Sequence, residues 1–467
     1  PACLCIGSKQ LEVKDVHYMW GMDVRESGKL LRKMFSGQGH RSILRIGQAG
    51  ESSSAMACIN VDTYRHFGRL GSGGVMGAKN LKGLVVQGDG SFELTGGKDY
   101  QKLFKKVHQL LTSTDMMDKY HNLGTPVNVA ALNALQALPV KNLQRTTDPG
   151  IENISGERFA EDTLLRNTAC SGCPVGCIHL GFVREKFMEP HHYLYRQVAY
   201  DHEPIFALGS MLGVTDTFKV LGMIESAERV GIDVMSAGVA LAWATEALEK
   251  GLISEKETLV SLRFGEAESY EQAIYHLALG SSDFYRMLAQ GSMKAANHYG
   301  GKDFACVLGQ EMAGYATGEV FFVSQALGFR HSHLDAGGYS YDQKGEGKNV
   351  DEAVRFLLAD EKERVFLTSM VVCLFARGVY TRELLANCLQ ALGYNALAEN
   401  MNQVSGHIQE LRWKTRFSTG FDPATISIPK RFNQVSNWKG ALDAEFMDRL
   451  KAEYSTAIIK MTDHKTN

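Results

Sequence analysis

Three cysteines within eight residues constrain this chain more than any other feature of its sequence. Cys170, Cys173 and Cys177 form the pattern C-x2-C-P-x2-C. Thiolates at this spacing on a tight Gly/Pro turn can converge on one iron–sulfur cluster, which then needs a fourth ligand from a distant segment. The spacing differs from the C-x2-C-x2-C run of bacterial ferredoxins. We therefore expect the turn to fold against another part of the chain that carries a thiol.

The spacing alone leaves the metal and the fourth ligand open. A zinc site is the alternative, because a CxxC pair and two further Cys or His ligands form a tetrahedral centre, and His179 could serve it. The fourth thiolate of a cluster could be Cys306, Cys373 or Cys388. Nine cysteines in 467 residues do not suit a disulfide scaffold, and the sequence begins without an export signal. Reduced thiols and a cytoplasmic location are therefore expected.

Composition and charge exclude several other classes of protein. The chain is 44% hydrophobic and 22% charged with a net charge of -2, which predicts no nucleic-acid partner and no polybasic membrane patch. No apolar run reaches the ~18–20 residues of a membrane span. The first residues lack an initiator Met and run directly into a strand-like segment, which we interpret as a break in a longer chain.

Hydrophobic periodicity predicts an α+β protein in which a β-rich N-terminal segment precedes two mostly α-helical domains. Strand-like runs occur at residues 11–13, 42–46 and 84–86. The period becomes helical after about residue 95, and we predict helices over 100–111, from Asp216 to Arg229, and over 237–250. The predicted domains are 1–90, 91–304 and 305–467, with a cofactor at their interface.

Three further polar segments are ambiguous when each is taken alone. The glycine-rich segment 68–80 can bring backbone groups to an anion, but it is not a P-loop, and taken alone a tight β connection explains it better than a ligand site. Residues 328–339 place His331 and His333 beside Arg and Asp, as in a functional site or a loop with satisfied side chains. The segment containing Asp201 and Glu203 is typical of a helix cap.

Taken together, these segments resemble the aldehyde:ferredoxin oxidoreductase family of tungsten enzymes. The matching motifs, in chain order, are 46–51 (I-G-Q-A-G-E), 75–82 (V-M-G-A-K-N-L-K), 139–142 (P-V-K-N), 170–177, Glu203 with 207–209 (A-L-G), 231–233 (G-I-D), 248–251 (L-E-K-G) and 429–432 (P-K-R-F). Each motif is short, but their order and spacing hold over about residues 5 to 440. Zinc is a poor interpretation beside this resemblance.

The resemblance implies two redox cofactors. A [4Fe-4S] cluster would be held by Cys170, Cys173, Cys177 and Cys373, because residues 368–373 look like the family's D-x-x-G-L-C segment. Tungsten, or molybdenum, would be held by the dithiolenes of two pterins whose phosphates share a magnesium ion, with no side chain as a metal ligand. The β-rich residues 1–90 would then be the remainder of a pterin-base domain, since the family has roughly a further half-domain upstream.

Eight residues match the family's pterin and magnesium contacts: Gly74, Gly77, Lys79, Asn80, Glu228, Gly231, Asp233 and Thr368. The segment around Gly74 resembles the part that offers a backbone carbonyl to the magnesium ion. Glu228 and Thr368 stand where the two pterin motifs of the family have aspartate. Gly222 and Glu225 occupy positions where some members carry a metal pair at a dimer interface, so that site is expected to be absent.

The chemistry implied by the resemblance is anaerobic oxidation of a small aldehyde to a carboxylic acid. Glu203 matches the carboxylate that takes a proton from the attacking water, and His333, or His331 if the loop is shifted, matches the donor to the substrate oxygen. The cluster would pass electrons to a ferredoxin or an iron–sulfur subunit. The alternatives are a non-catalytic electron-relay subunit and a diverged member without pterin. The oligomeric state stays open, a homo-oligomer included.

Overall fold

The computed structural model describes residues 1–36, 39–90, 97–188, 192–345 and 348–462. Its strands are β1 (Ala2–Ile6), β2 (Leu11–Asp15), β3 (His40–Arg45), β4 (Ile59–Val61), β5 (Arg65–Phe67), β6 (Leu81–Gly88), β7 (Leu164–Thr168), β8 (Ile178–Met188), β9 (His192–Tyr200), β10 (Ser436–Asn437) and β11 (Gly440–Ala441).

The α-helices are α1 (Val24–Met34), α2 (Gln48–Glu51), α3 (Ser72–Ala78), α4 (Lys98–Ser113), α5 (Asp115–Asn122), α6 (Val127–Ala134), α7 (Gly156–Thr163), α8 (His202–Leu208), α9 (Thr217–Val230), α10 (Val234–Glu249), α11 (Glu255–Thr258), α12 (Ala267–Leu279), α13 (Asp283–Leu288), α14 (Ser292–Tyr299), α15 (Glu319–Ala326), α16 (Gly338–Lys344), α17 (Val350–Ser369), α18 (Arg382–Ala391), α19 (Asn395–Glu399), α20 (Met401–Ser418) and α21 (Ala444–Met461). Short 3-10 turns occur at His17–Met19, Pro149–Ile154, Ser210–Leu212, Lys302–Phe304, Leu374–Ala376, Pro423–Thr425 and Lys430–Asn433.

The N-terminal residues form a six-stranded sheet in the order β2-β1-β6-β3-β4-β5. β1 and β6 are parallel, and the other neighbouring pairs are antiparallel. Cys3 and Cys5 of β1 and Val85 of β6 are buried against Leu31 of α1, so alternate residues of the strands form a small core with this helix. The Asp23 carboxylate caps α1 by accepting two backbone N–H bonds of its first turn.

Two helices predicted from the sequence lie at the centre of the helical part. α9 begins after its N-cap Asp216 and ends before Gly231, whose φ of 71° is in the left-handed region. α10 is buried along almost its whole length. A Cβ at Gly231 would lie 2.9 Å from the backbone nitrogen of Gly47, so only glycine allows the end of α9 to pack against the start of α2.

One large core of buried apolar side chains extends from Ala49 to Ile458 and includes residues of both predicted helical domains. The boundary between those domains at residue 304 stays a prediction. The predicted fold class is confirmed, because a β-rich N-terminal segment precedes a mostly helical remainder. Within the described ranges no single helix is long and apolar enough to cross a membrane; only His202–Leu212 with Thr217–Val230 would pass, as a pair bent by 111°.

The sequence did not predict two features of the fold. The N-terminal segment contains α1, α2 and α3 as well as strands, and β7, β8 and β9 form an antiparallel sheet inside the helical part. β9 has four exposed residues in succession, so the apolar alternation that identifies a half-buried strand is weak there. This sheet matters for function, because the cysteine turn is the connection between β7 and β8.

Candidate active site and cysteine cluster

The turn that carries three cysteines is closed by its own backbone. The Cys173 N–H donates to the Cys170 carbonyl at 3.1 Å. Gly172 and Gly176 have φ values of 73° and 66°, a region that glycine adopts without strain. The glycines therefore let the chain reverse between the cysteines, with Cys170 exposed and Cys173 and Cys177 partly buried.

Cys373 meets this turn from the end of α17. Burial, together with the thiols of Cys373, Cys170 and Cys173, raises the pKa of the Cys177 thiol to about 11. Charges act on one another in this way only at short range, so Cys373 lies near Cys177. The structure thus brings Cys373 to the three clustered cysteines.

The other two candidates for the fourth thiol are placed differently. Cys306 is fully buried in the large core, where its thiol donates to the Asn142 carbonyl at 3.5 Å. Cys388 lies on α18 at the edge of the apolar side chains that pack behind the cysteine turn, and the pKa of its thiol is raised by burial. Neither thiol is among the groups that raise the pKa of Cys177.

Within the described residues, no group of three or more His, Cys, Asp or Glu side chains is arranged to hold a metal ion, which applies to zinc and to an iron–sulfur cluster alike. His179, the residue considered as a zinc ligand, is engaged by the backbone. The His179 ring nitrogens lie 3.2 Å and 2.9 Å from the carbonyl oxygens of Cys177 and Asn122, so this side chain supports the turn.

We infer that the other candidate residues line a hollow between the N-terminal sheet and the helical part, because some of them are accessible to solvent and yet poorly solvated. His66 and Asp201 are exposed residues, yet burial, together with the charges of Arg45 and Arg65, lowers the pKa of His66 to about 4. Burial likewise raises the pKa of Asp201. A side chain is both accessible and poorly solvated where it lines an enclosed hollow. These residues therefore belong to an inner wall.

Glu203 and His333 meet in this hollow. Glu203 lies in the first turn of α8, which is capped by Asp201, and its Oε2 accepts the Gly314 N–H at 3.0 Å. Its Oε1 lies 3.3 Å from His333 Nε2. Within the described part of the chain, Glu203 Oε1, His333 Nδ1 and Arg69 Nε are buried without a hydrogen-bond partner. Buried polar atoms are normally satisfied, so these atoms fit a polar group bound in the hollow.

Burial sets the protonation of this pair. It raises the pKa of Glu203 to about 8, although the Gly314 N–H opposes the shift. It lowers the pKa of His333 to about 3, and the positive charge of Arg69 lowers it further. At neutral pH the histidine is therefore neutral and the carboxyl group mostly protonated. Perturbed acids and bases in a hollow are typical of catalytic sites.

His331, the alternative to His333, is committed elsewhere. Its Nδ1 lies 2.9 Å from the Ala326 carbonyl, and its Nε2 lies 2.8 Å from the Arg416 guanidinium. Because arginine can only donate, Nε2 accepts and Nδ1 carries the proton. The residue has a φ of 53°, which strains a non-glycine backbone. His333 is therefore the histidine of this loop that meets Glu203.

Aromatic side chains extend from His333 along the wall of the hollow. The ring of Tyr315 lies 5.5 Å from the His333 ring and stacks on Tyr339 at 5.1 Å between centroids. The Tyr339 hydroxyl accepts a bond from Arg364 at 3.3 Å, and Arg364 also pairs with Asp360. Arg364 is 4% exposed and helps to lower the pKa of His333, so it faces the same hollow.

The first predicted pterin motif lies beside the hollow. Burial raises the pKa of Glu228 to about 7, and its carboxylate lies 3.9 Å from both Arg25 and His66. Asp233 caps α10 by accepting the Ser236 N–H at 2.8 Å, and its carboxylate lies 3.6 Å from Arg69. Gly231 packs against the backbone of Gly47, as described above. Both acids thus border the same space as Arg69.

The glycine-rich segment has a structural explanation. Gly74 and Gly77 lie in α3, where a Cβ would come within 2.5 Å of the Ser54 carbonyl oxygen and 1.8 Å of the Gly50 carbonyl oxygen. Close packing therefore requires both glycines. Lys79 and Asn80 are exposed at the end of α3. The magnesium contact predicted for this segment stays a prediction.

Thr368 lies in the last turn of α17, one helical turn after Arg364. Its side chain is exposed, and its hydroxyl donates to the carbonyls of Arg364 at 2.9 Å and Val365 at 3.1 Å. The hydroxyl hydrogen is thus used within its own helix, and only the oxygen lone pairs are available to a ligand. The predicted pterin contact of Thr368 stays a prediction.

Sequence reasoning missed three side chains of the hollow. Arg69 lies within the glycine segment, but nothing in the pattern distinguished it from a surface arginine. Tyr315 and Arg364 lie in segments without any recognisable motif, and only the fold brings them to His333. The one sequence signal that could have pointed to Arg364 is its position, one helical turn before Thr368, which replaces the family's aspartate.

Comparison with known proteins assigns the chain to a family. The model of the aldehyde ferredoxin oxidoreductase N-terminal domain matches residues 1–88, and the model of domains 2 and 3 of the same family matches residues 102–457. The chain therefore belongs to the aldehyde ferredoxin oxidoreductase family, and it is an oxidoreductase by that membership.

Relatives of known name are distant in sequence. The tungsten-containing aldehyde ferredoxin oxidoreductase of Pyrococcus furiosus is 27% identical over 451 residues, which cover 92% of this chain and 72% of that protein. The aliphatic sulfonate oxidoreductase WOR-like subunit of the same organism is 24% identical over 309 residues, or 63% and 48% of the two chains. The active-site complex BamBC of benzoyl coenzyme A reductase shares the fold, with a TM-score of 0.75 over 98% of this chain and 77% of that one at 16% identity.

Proposed function

We propose that this chain oxidises an aldehyde to a carboxylic acid at a tungsten bis-pterin centre and passes the electrons through a [4Fe-4S] cluster to a ferredoxin-like acceptor. The pairing of Glu203 with His333 in the hollow is the observation that carries the proposal. Family membership and the tungsten-containing relatives support it. The net reaction adds water to the aldehyde and releases two electrons and two protons.

The residues present fit both cofactors. The charges of Cys170, Cys173 and Cys373 all act on Cys177, which supports these four thiols as the ligands of a [4Fe-4S] cluster. Unpartnered polar atoms of Glu203, His333 and Arg69 line the hollow, and the acids Glu228 and Asp233 border it, which suits the polar ring edges and the phosphates of pterins with their magnesium ion. When bound, the tungsten centre supplies the two-electron oxidation and the cluster carries single electrons away.

The side chains of the hollow move the protons. Glu203 takes a proton from the water that attacks the carbonyl carbon. His333 is neutral, and in the tautomer that carries its proton on the unpartnered Nδ1 it donates to the substrate oxygen as negative charge builds there. Burial of this pair excludes bulk water and strengthens both interactions. Tyr315 and Tyr339 hold the substrate against the histidine.

Metal and pterin analysis tests the proposal most directly. Protein purified without oxygen should contain about four irons, one tungsten and two pterins per chain, and should reduce a viologen dye with a small aldehyde. Iron with neither tungsten nor pterin would refute the catalytic assignment. Zinc in place of iron would refute the cluster as well.

A second candidate function is an electron-relay subunit that keeps the cluster and lacks pterin. The observation in its favour is Thr368, whose hydroxyl donates within its own helix where the family has a charged acceptor. Such a protein would give the spectroscopic signal of a reduced cluster and no aldehyde-dependent dye reduction. The same analysis therefore separates the two functions.

A further inference from the structure

A row of lysines covers the apolar side chains behind the cysteine turn. On α4, Lys98, Lys102, Lys105 and Lys106 are exposed; Lys102 follows Lys98 by four residues, and Lys105 and Lys106 follow Lys102 by three and four, so all four share one side of the helix. We call these four residues the lysine face. The opposite side of α4 buries Leu103, Val107, Leu110 and Leu111 in the apolar cluster that also contacts Cys173 and Cys177.

The lysine face is unusual for this chain in two respects. The whole chain has a net charge of -2, yet α4 carries four lysines and a single acid, Asp99. Among the described residues, no ion pair joins a carboxylate to any of these lysines, whereas Lys29, Lys82, Lys219 and Lys348 elsewhere are paired. The positive charge is therefore concentrated on α4, with Glu383 as the acid that lines the groove beside Lys106.

Apolar groups accompany the charge. Phe104 is 59% exposed on α4 and stacks on Tyr100, and Met116 is 43% exposed at the start of α5. A groove of about 240 Å³ runs between Lys106 and Val379 of the segment that follows Cys373. Aromatic and methionine side chains are enriched at the centres of protein interfaces, and polar or charged side chains form the rim. The exposed Phe104 and Met116 beside the lysines have this composition.

We propose that the lysine face, with Phe104, Met116 and the adjoining groove, docks a small acidic iron–sulfur protein that takes electrons from the cluster. The inference rests on the proposed function in one respect: electrons must leave through the four cysteines. Cys170 and Cys373 are exposed, so the cluster end of the molecule is open to a partner. An acidic partner is attracted by the lysines, while the apolar groups hold it after contact.

The test uses the holoprotein and an acidic [4Fe-4S] ferredoxin as the probe, with association followed by surface plasmon resonance over a salt series. The triple variant Lys102→Glu, Lys105→Glu and Lys106→Glu should lower the association rate constant at least about tenfold at low salt. The difference should nearly vanish at 1 M salt, where the Debye length is about 3 Å. Basic cytochrome c, as the opposite probe, should bind the variant better than the original chain.

A matched control makes the same change of charge elsewhere. Lys9, Lys256 and Lys294 are exposed and lie outside the lysine face, and their triple change to Glu should lower association by less than about threefold. Equal loss in both triple variants, or no loss in the first, overturns the docking surface. Aldehyde-dependent reduction of a small viologen dye should be unchanged in both. Absence of that activity in the original chain would refute the proposed function and leave the binding result to stand.

Discussion

The hollow and the cysteine turn are built in opposite ways. Glu203 and His333 are held by the single large core, to which α8 and the loop before α16 contribute buried side chains. The cysteine turn rests on a small separate cluster of apolar side chains from α4, α5 and α18. The carboxyl group and the imidazole are screened from water, whereas Cys170 and Cys373 are exposed.

This difference corresponds to two tasks. Proton transfer requires fixed groups and the exclusion of bulk water, which a large rigid core provides. Electron transfer to a partner requires access to the surface, which a thin layer of residues provides. Changes in the hollow should therefore alter rates without unfolding the chain, whereas changes at the turn should remove a whole cofactor.

Loss of a cluster ligand should have the largest effect. Cys373→Ala removes a thiol that lies near Cys177, so iron should fall from about four per chain to nearly none and the signal of the reduced cluster should disappear. The matched control is Cys388→Ala, which deletes a partly buried thiol at the edge of the same apolar cluster. Iron analysis and EPR on protein purified without oxygen measure both. Equal iron loss in the control would contradict the choice of Cys373.

Removal of the proposed base should have the next largest effect. Glu203→Gln keeps the shape and the bond from Gly314 but cannot accept a proton, so kcat should fall at least about 100-fold. Tungsten, pterin and iron contents should be unchanged. Glu361→Gln is the control, because Glu361 is also a buried carboxyl group with a pKa raised by burial, to about 7, but it binds Gln409 and Trp413. A rate loss of the same size in the control would reduce the role of Glu203 to a structural one.

The pH dependence should show the raised pKa of Glu203. Only the ionised carboxylate can accept a proton, and the pKa of about 8 means that its population grows about tenfold per pH unit below pH 8. The kcat/KM value should therefore rise with pH and level off above about pH 8. His333, with a pKa of about 3, stays neutral over this pH range and therefore adds no second inflection to the pH profile of kcat/KM. A profile of viologen reduction that falls over this range would contradict the base role.

The sequence predicted the features of this molecule that depend only on residues close together in the chain. The three clustered cysteines, the cap at Asp216 and the glycine after α9 follow from spacing and backbone preference, and the structure shows each where it was expected. Two choices needed more than spacing. The family resemblance selected Cys373 over Cys306 and Cys388, because thiols far apart in sequence carry no spacing signal, and in the structure Cys373 is the one of these three whose charge acts on Cys177.

The hollow shows the same limit of local patterns. His331 and His333 are two residues apart and chemically identical, and they differ only in what tertiary structure places beside them: Arg416 for the first and Glu203 for the second. Tyr315 belongs to no motif, and its part in the wall follows entirely from packing. The strands of the cysteine sheet were missed because their exposed residues hide the two-residue period.

Restoring the family's acid at the second pterin motif should have the smallest effect. Thr368→Asp replaces a neutral hydroxyl with a charged acceptor for the donors of a pterin ring. A charged hydrogen bond exceeds a neutral one by about 1–2 kcal/mol, so the affinity for pterin should rise about 5- to 30-fold. A carboxylate in the last turn of α17 opposes the helix dipole, which costs about 0.3–1 kcal/mol of stability.

Ser369→Asp is the control, because Ser369 is also exposed in that turn and its hydroxyl donates to Val365. Pterin, measured as its fluorescent oxidation product, should rise in Thr368→Asp alone, and protein with full iron but no pterin in any variant would favour the relay subunit.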